Sequence, residues 1–375
     1  MSKSNCTEDW DLLSTFLPAD WRDLARTSGA LKGLRQDKSE EGYLRTLLMH
    51  VGCGYSLRET VVRARMAGLA DLSDVALLKR LRKSKEWLYR LCYSLFEERG
   101  VRAPRQKMPP ICLVDATQVK EPGQTGSLWR IHYSLRWPSL SCHYFKLTAS
   151  EGEGSGERLQ QFPFRAGDHV LADRGYSVAS GIHYVAQRGA YLAVRLNPQG
   201  LRLLSEKGKV FGLNQRLKTI RRTGQIACWK VAIPLDKNPP VQARLCVVRK
   251  SKEAIALAVA KLRRKASKNG TELQPETLLY AEYVMVLTTF EEKRFPAVLV
   301  LEWYRLRWQV ELVFKRFKQI ADVGHLPKYD DDSSKAWLYG KMLVALVTEK
   351  LVAHARAFSP WGYELATSPP PQSVA

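Results

Sequence analysis

The stretch RAPRQKMPP at residues 102–110 separates two hydrophobic periodicities, and that change limits the fold more than any other feature of the chain. Before it, apolar residues recur every three to four positions, as on one face of a helix. After it they come in short β-branched and aromatic runs bounded by turn residues. Prolines at positions 104, 109 and 110 make the stretch itself an extended connector. A helical domain followed by a sheet is the expected organisation.

The helical part reads as consecutive short helices over 41–52, 56–68, 73–84 and 85–98. Ser56 with Glu59 three residues later fits a capping box, and Gly54 and Gly68 fall where helices would end. Arg58, Arg63 and Arg65 lie on one of these helices, and Lys79, Arg80, Arg82, Lys83 and Lys85 on and beside the next. Two readings fit them: a helix-turn-helix type of DNA contact, or a basic face turned to solvent. Residues 1–100 are expected to form an N-terminal helical DNA-binding domain.

Beyond the connector, ICLV (111–114), LWRIHYSLRW (128–137), CHYFKLTAS (142–150), HVLA (169–172) and AYLAVRL (190–196) read as five strands, with a helix over 177–189. Hairpin-linked strands followed by alternating helix and strand give a mixed α/β sheet. Residues 101–196 are taken as the first part of this core and 197–282 as an inserted β-rich module, with strand-like KVFGL, IACWKVAIPL and ARLCVVRK and one basic helix. Residues 283–360 complete the core with a strand at 283–289, a long helix over about 297–320 and a final helix over 334–357 expected to pack on the sheet. The proline- and serine-rich tail, 361–375, is expected to be disordered.

With 59 Lys+Arg against 37 Asp+Glu, the 375-residue chain carries a formal net charge of +22. A field of that sign attracts a polyanion, so nucleic acid is the expected partner. No apolar run approaches the roughly 20 residues that span a bilayer, and the opening MSKSNCTEDWDLL is acidic, so neither a leader nor a membrane partner is expected. The seven cysteines are scattered without a CxxC pair, which argues against a disulfide framework or a zinc site and for reduced thiols in a cytoplasmic protein.

Two aspartates stand after apolar strands: Asp115 after ICLV and Asp173 after HVLA. A carboxylate there is costly to desolvate unless it caps a turn, pairs with an arginine, or faces a cleft or a metal. The third group lies in VLEWYRLRWQVELVFKRFKQI, where Tyr304, Arg307, Glu311 and Lys318 project within roughly 60° of one another at about 100° per residue. One reading is an Arg307–Glu311 ion pair on a solvated face. The other is a polar stripe lining a cleft, since Trp303, Trp308, Val310, Leu312 and Phe314 cover the rest of the circumference. Two aspartates and a glutamate would make an all-oxygen site suited to Mg²⁺ or Mn²⁺. Two such ions can activate a water or a 3′-hydroxyl for in-line attack on a phosphodiester, with Arg307 and Lys318 neutralising phosphate and Tyr304 donating to it or stacking.

Asp115 in LVDATQV, Asp173 in LADRGY, and Tyr304, Arg307, Glu311 and Lys318 at intervals of three, four and seven resemble the three blocks of bacterial insertion-sequence transposases of the DDE type, the IS-four family. The resemblance implies an RNase H-like core with a β-rich insertion before the glutamate-bearing helix. It implies metal ligation by Asp115, Asp173 and Glu311, with two Mg²⁺ ions as cofactor and Mn²⁺ as a substitute, and DNA contacts from Tyr304, Arg307 and Lys318. It also implies cut-and-paste transposition in a bacterial cytoplasm, with terminal inverted repeats and target DNA as partners and a homodimer in the synaptic complex. Trp308 and Trp229 are candidates for holding a flipped base, against a packing role for each. A nuclease that cuts without joining and a non-catalytic DNA-binding derivative are the alternative functions.

Overall fold

The computed structural model describes residues 6–33, 39–101, 111–120, 128–137, 141–149, 156–236, 238–312, 326 and 330–357. The connector 102–110, the tail 361–375 and Lys318 lie outside them. Two compact units share the chain: one takes Met1–Arg102 with Ala321–Ala375, the other Ala103–Ile320. Among the described residues no helix is long and apolar enough to cross a membrane.

The first unit is all-helical: α1 (Cys6–Ser14), α2 (Trp21–Thr27), α3 (Glu40–Cys53), α4 (Leu57–Met66), α5 (Asp74–Lys83) and α6 (Lys85–Val101). Serines start three of them. Ser39, Ser56 and Ser73 accept hydrogen bonds from the backbone N–H groups of Gly42, Glu59 and Ala76. Only half of the expected capping box forms, because the Glu59 carboxylate pairs with Arg63 one turn later. Gly54 ends α3 in the left-handed region at φ 72°. Trp87 is fully buried, stacked on Trp21 and Tyr43, and its indole N–H donates to the Trp21 carbonyl at 3.0 Å.

The last helix, Asp331–Ala357, departs from expectation: it packs on α6, α3 and α5, not on the sheet. Its apolar face requires a partner without specifying which one. Here Ala336, Trp337, Leu338, Met342 and Leu343 are buried, and a β-carbon on Gly340 would lie 2.9 Å from Val51 Cγ2, so helix α3 approaches at a glycine. Arg82 and Lys85 pair with Asp330 and Asp332 at 2.8 and 2.6 Å. Much of the basic surface is matched in the same way: Arg58 pairs with Asp74 and Arg65 with Asp71, while Arg80 donates to the carbonyls of Lys32 and Gly33.

The second unit is a mixed α/β structure on one eight-stranded sheet. The strands are β1 (Ile111–Lys120), β2 (Leu128–Trp137), β3 (Ser141–Ala149), β4 (His169–Ala172), β5 (Tyr191–Arg195), β6 (Ile226–Leu235), β7 (Asn238–Arg249) and β8 (Tyr283–Thr288), in the order β3-β2-β1-β4-β5-β8-β7-β6. Strands β1, β4 and β5 are parallel, and the other neighbours are antiparallel. The expected five-stranded sheet is therefore only part of it. β8 pairs with β5 on one edge and β7 on the other, which makes the β6–β7 hairpin an extension of the same sheet instead of a separate module. An unpaired β5 edge offers N–H and C=O groups that a strand far along the chain can take up, and no local pattern records which strand does so.

Helices α7 (Ala179–Gln187), α8 (Leu213–Leu217), α9 (Lys252–Asn269) and α10 (Pro275–Ala281) connect these strands. KVFGL is not a strand: Val210 makes a single bridge to Leu204, and Leu213 starts α8. On the hairpin, Cys228 and Cys246 sit directly opposite with their Sγ atoms 3.8 Å apart, a thiol pair hidden by their separation in sequence. The expected long helix is interrupted. Helix α11 (Ala297–Tyr304) tightens into a 3₁₀ turn at Arg305–Arg307, and helix α12 resumes over 308–312 of the described residues. The final helix Asp331–Ala357 is then α13.

Candidate active site

β1 outlasts its parallel neighbour. Pairing with β4 covers Ile111–Leu113 against His169–Leu171, and β4 stops at Ala172. Asp115 is thus in the middle of a strand, not at its end as the apolar run suggested. Continuing the register two residues past Leu113 and Leu171 sets Asp115 beside Asp173, and the two-residue period points both to the same face. Asp173 itself begins the 3₁₀ turn Arg174–Tyr176.

Helix α11 packs on β5, β8, β7 and β6 and delivers Tyr304 and Arg307 to this point. The Tyr304 hydroxyl donates to Asp173 Oδ1 at 3.4 Å. The Arg307 guanidinium, only 14% exposed, stands among three carboxylates: Nη1 is 3.8 Å from Asp115 Oδ2, Nε is 3.8 Å from Asp173 Oδ1, and Nη2 donates to Glu311 Oε1 at 2.5 Å. The intrahelical Arg307–Glu311 pair of the first reading is present, but the Arg307 guanidinium is largely buried beside Asp115 and Asp173 and not on a solvated face. Among the described residues no three acidic, histidine or cysteine side chains converge closely enough to hold a metal ion by themselves. The guanidinium is what links them.

Comparisons with known proteins identify the family. The family described as a transposase DDE domain matches residues 139–347, a span that includes Asp173, Tyr304, Arg307 and Glu311 and begins after Asp115. A putative transposase InsL for insertion sequence element IS186A of Escherichia coli K12 is 31% identical over 362 residues, covering 94% of this chain and 96% of the relative. The chain belongs to the DDE transposase family. The transposase for element IS421 of Escherichia coli is also 31% identical, over 363 residues with the same coverage. The transposase for IS231F of Bacillus thuringiensis is 22% identical over 192 residues, 48% of this chain and 40% of the relative. The protein is thus a DNA transposase, and divalent metal ions are the usual cofactor of its family.

Burial governs the electrostatics of the candidate site. It pushes the Asp115 carboxyl up to about 7, against the Ala116 N–H and Arg307, which favour the charged form, and with Asp173 and Glu157 adding to the rise. Burial and the Asp173 charge both raise the Tyr304 phenol, so it stays a hydrogen-bond donor. Burial works against the charge on Arg307, but Asp173 and Glu311 outweigh it and hold the group cationic. The donor set is all oxygen, which suits a hard divalent cation.

Trp308 is 49% exposed, next to Arg307, whereas Trp229 is half-buried against Phe211 with Arg216 over its ring. Three further groups are coupled to the aspartates: Glu157 acts on Asp115, both aspartates act on the buried Tyr176, and Arg130 on β2 attracts Glu157. Only Tyr176 had a sequence signal, its place in LADRGY.

The Asp115 value has a consequence for stability without divalent ions. An unfolded aspartate titrates near 3.8 and the folded one near 7, so between these values the folded state keeps a proton that the unfolded state has released. Stability from this group is complete below pH 4 and is lost as pH rises through 7. His132, which is buried, and His143, which is partly buried, are depressed to about 4 and about 3 and act in the opposite sense, so the difference between wild type and variant is the useful measure. In EDTA, Asp115→Asn should melt close to wild type near pH 4 and above it at pH 8; parallel melting curves across that interval would count against the raised value.

Proposed function

We propose that this transposase moves an insertion sequence by cut-and-paste chemistry, with Asp115, Asp173 and Glu311 holding two Mg²⁺ ions, for which Mn²⁺ can substitute. The observation that carries the reading is Arg307, whose three nitrogens reach one carboxylate each from β1, the end of β4 and α12. The order β3-β2-β1-β4-β5, hairpin first and parallel crossovers after, supports an RNase H-like core within the larger sheet. Bound divalent ions supply an activated water or 3′-hydroxyl and stabilise the leaving oxygen. Asp115 must release its proton to take part, and the Tyr304 hydroxyl holds the Asp173 carboxylate in orientation. Arg307 remains charged and, with Lys318, binds phosphate of the element end and trims backbone negative charge.

The helical unit, residues 1–100 with α13, is proposed to grip DNA. Its exposed ion pairs are each worth about 0–1 kcal/mol and exchange readily for phosphate. The terminal inverted repeats and target DNA are the proposed substrates, and a homodimer the synaptic form. The test uses DNA carrying the sequences that flank this reading frame, a supercoiled target, and Mg²⁺ or EDTA. Mg²⁺-dependent nicking at the ends followed by joining to the target is the expected result. Nicking with no joined product would favour a nuclease, and binding with neither would favour a non-catalytic derivative.

A further inference from the structure

No motif marks Glu157, yet its carboxylate reaches the turn that carries Asp173. Its Oε2 atom rests on Gly175: a β-carbon added there would overlap that oxygen and lie 3.2 Å from Glu157 Cδ. Gly175 is not among the residues at positive φ, so the close approach, and not the backbone, is what calls for glycine. Arg130 attracts the Glu157 carboxylate while Asp173 repels it. Tyr176 at the end of the same turn is 1% exposed, and its hydroxyl has no hydrogen-bond partner among the described residues, although Asp115, Glu157 and Asp173 all act on it. A half-buried carboxylate beside two others is costly to keep.

On the reading that Asp115, Asp173 and Glu311 form the cation site, we propose that Glu157 is a positioning residue for it. Its carboxylate, seated on Gly175 and held by Arg130, keeps the Asp173–Tyr176 turn in place so that Asp173 stays aligned with Asp115 toward a divalent cation. Loss of such an outer partner lowers metal affinity by about 10-fold or more.

The experiment titrates the full-length protein with Mn²⁺, following the free-ion signal by electron paramagnetic resonance, with thermal melting to confirm folding. Glu157→Gln should weaken Mn²⁺ binding about 10-fold. Gly175→Ala, which displaces the same carboxylate, should do likewise, and the double variant should be no worse than either alone, as for two changes to one contact. If Gly175→Ala does not fold, Glu157→Gln alone carries the comparison. Affinity within about twofold of wild type for Glu157→Gln, or losses that simply add in the double variant, overturns the inference. Asp115→Asn separates the two levels: a loss there beside an unchanged Glu157→Gln leaves the site standing, whereas an unchanged Asp115→Asn removes both.

Discussion

Glu311→Gln lowers cleavage of element-end DNA by about 10³-fold or more while end binding stays within about threefold of wild type. The two effects separate because of where the side chain sits. Glu311 is about half exposed and its fold contribution is one hydrogen bond from Arg307, which a glutamine oxygen can still accept, so the substitution costs little stability. What disappears is a negative charge in the proposed cation site, and several kcal/mol of transition-state stabilisation corresponds to about three powers of ten in rate. Binding of the polyanion depends on the cationic surface and loses nothing when a carboxylate is neutralised. A gel-shift titration beside a cleavage time course on the same labelled DNA reads both. Cleavage within about tenfold of wild type would sink the assignment of Glu311.

Arg244→Met should lower the melting temperature of the sheet unit by roughly 10 °C, a loss of about 3–5 kcal/mol. Arg244 lies in β7 with its side chain 8% exposed. Its Nη2 donates to the carbonyls of Phe290 at 2.9 Å and Phe295 at 2.8 Å, and Nη1 is 3.7 Å from Glu292. These contacts fasten the loop between β8 and α11 to the sheet. Methionine fills similar volume but leaves two buried carbonyls without their donor, which costs more than the hydrogen bonds were worth. Because α11 continues into Tyr304 and Arg307, cleavage should fall as well, at temperatures where the variant is still folded. Differential scanning calorimetry with cleavage at 25 °C checks both; an unchanged melting temperature would show that the loop is held in another way.

The placement of the candidate site is legible in part. The spacing of Tyr304, Arg307 and Glu311 brought all three to one place even though a 3₁₀ turn at Arg305–Arg307 breaks the regular helix assumed for them. One tightened turn rotates the following residues only modestly, and Arg307 is long enough to span the difference. Asp115 and Asp173 were legible as carboxylates after apolar runs, but their adjacency depends on the β1–β4 register, which no local signal states. Glu157 was not legible, because what makes it matter is its contact with Gly175 and the field of Arg130.

By itself the sequence determined most of the local elements, though not the KVFGL segment or the break at Arg305–Arg307, together with the polyanion partner implied by +22 and the residue types of the candidate site. Periodicity, capping and charge are properties of neighbours along the chain. The tertiary structure decided which elements meet: that α13 joins the N-terminal helices, that β8 stitches the β6–β7 hairpin onto the β5 edge, and that Arg307 stands among carboxylates from three elements. An apolar face or an open strand edge states that it must be covered. The identity of the partner is settled only by the packing and pairing of distant segments.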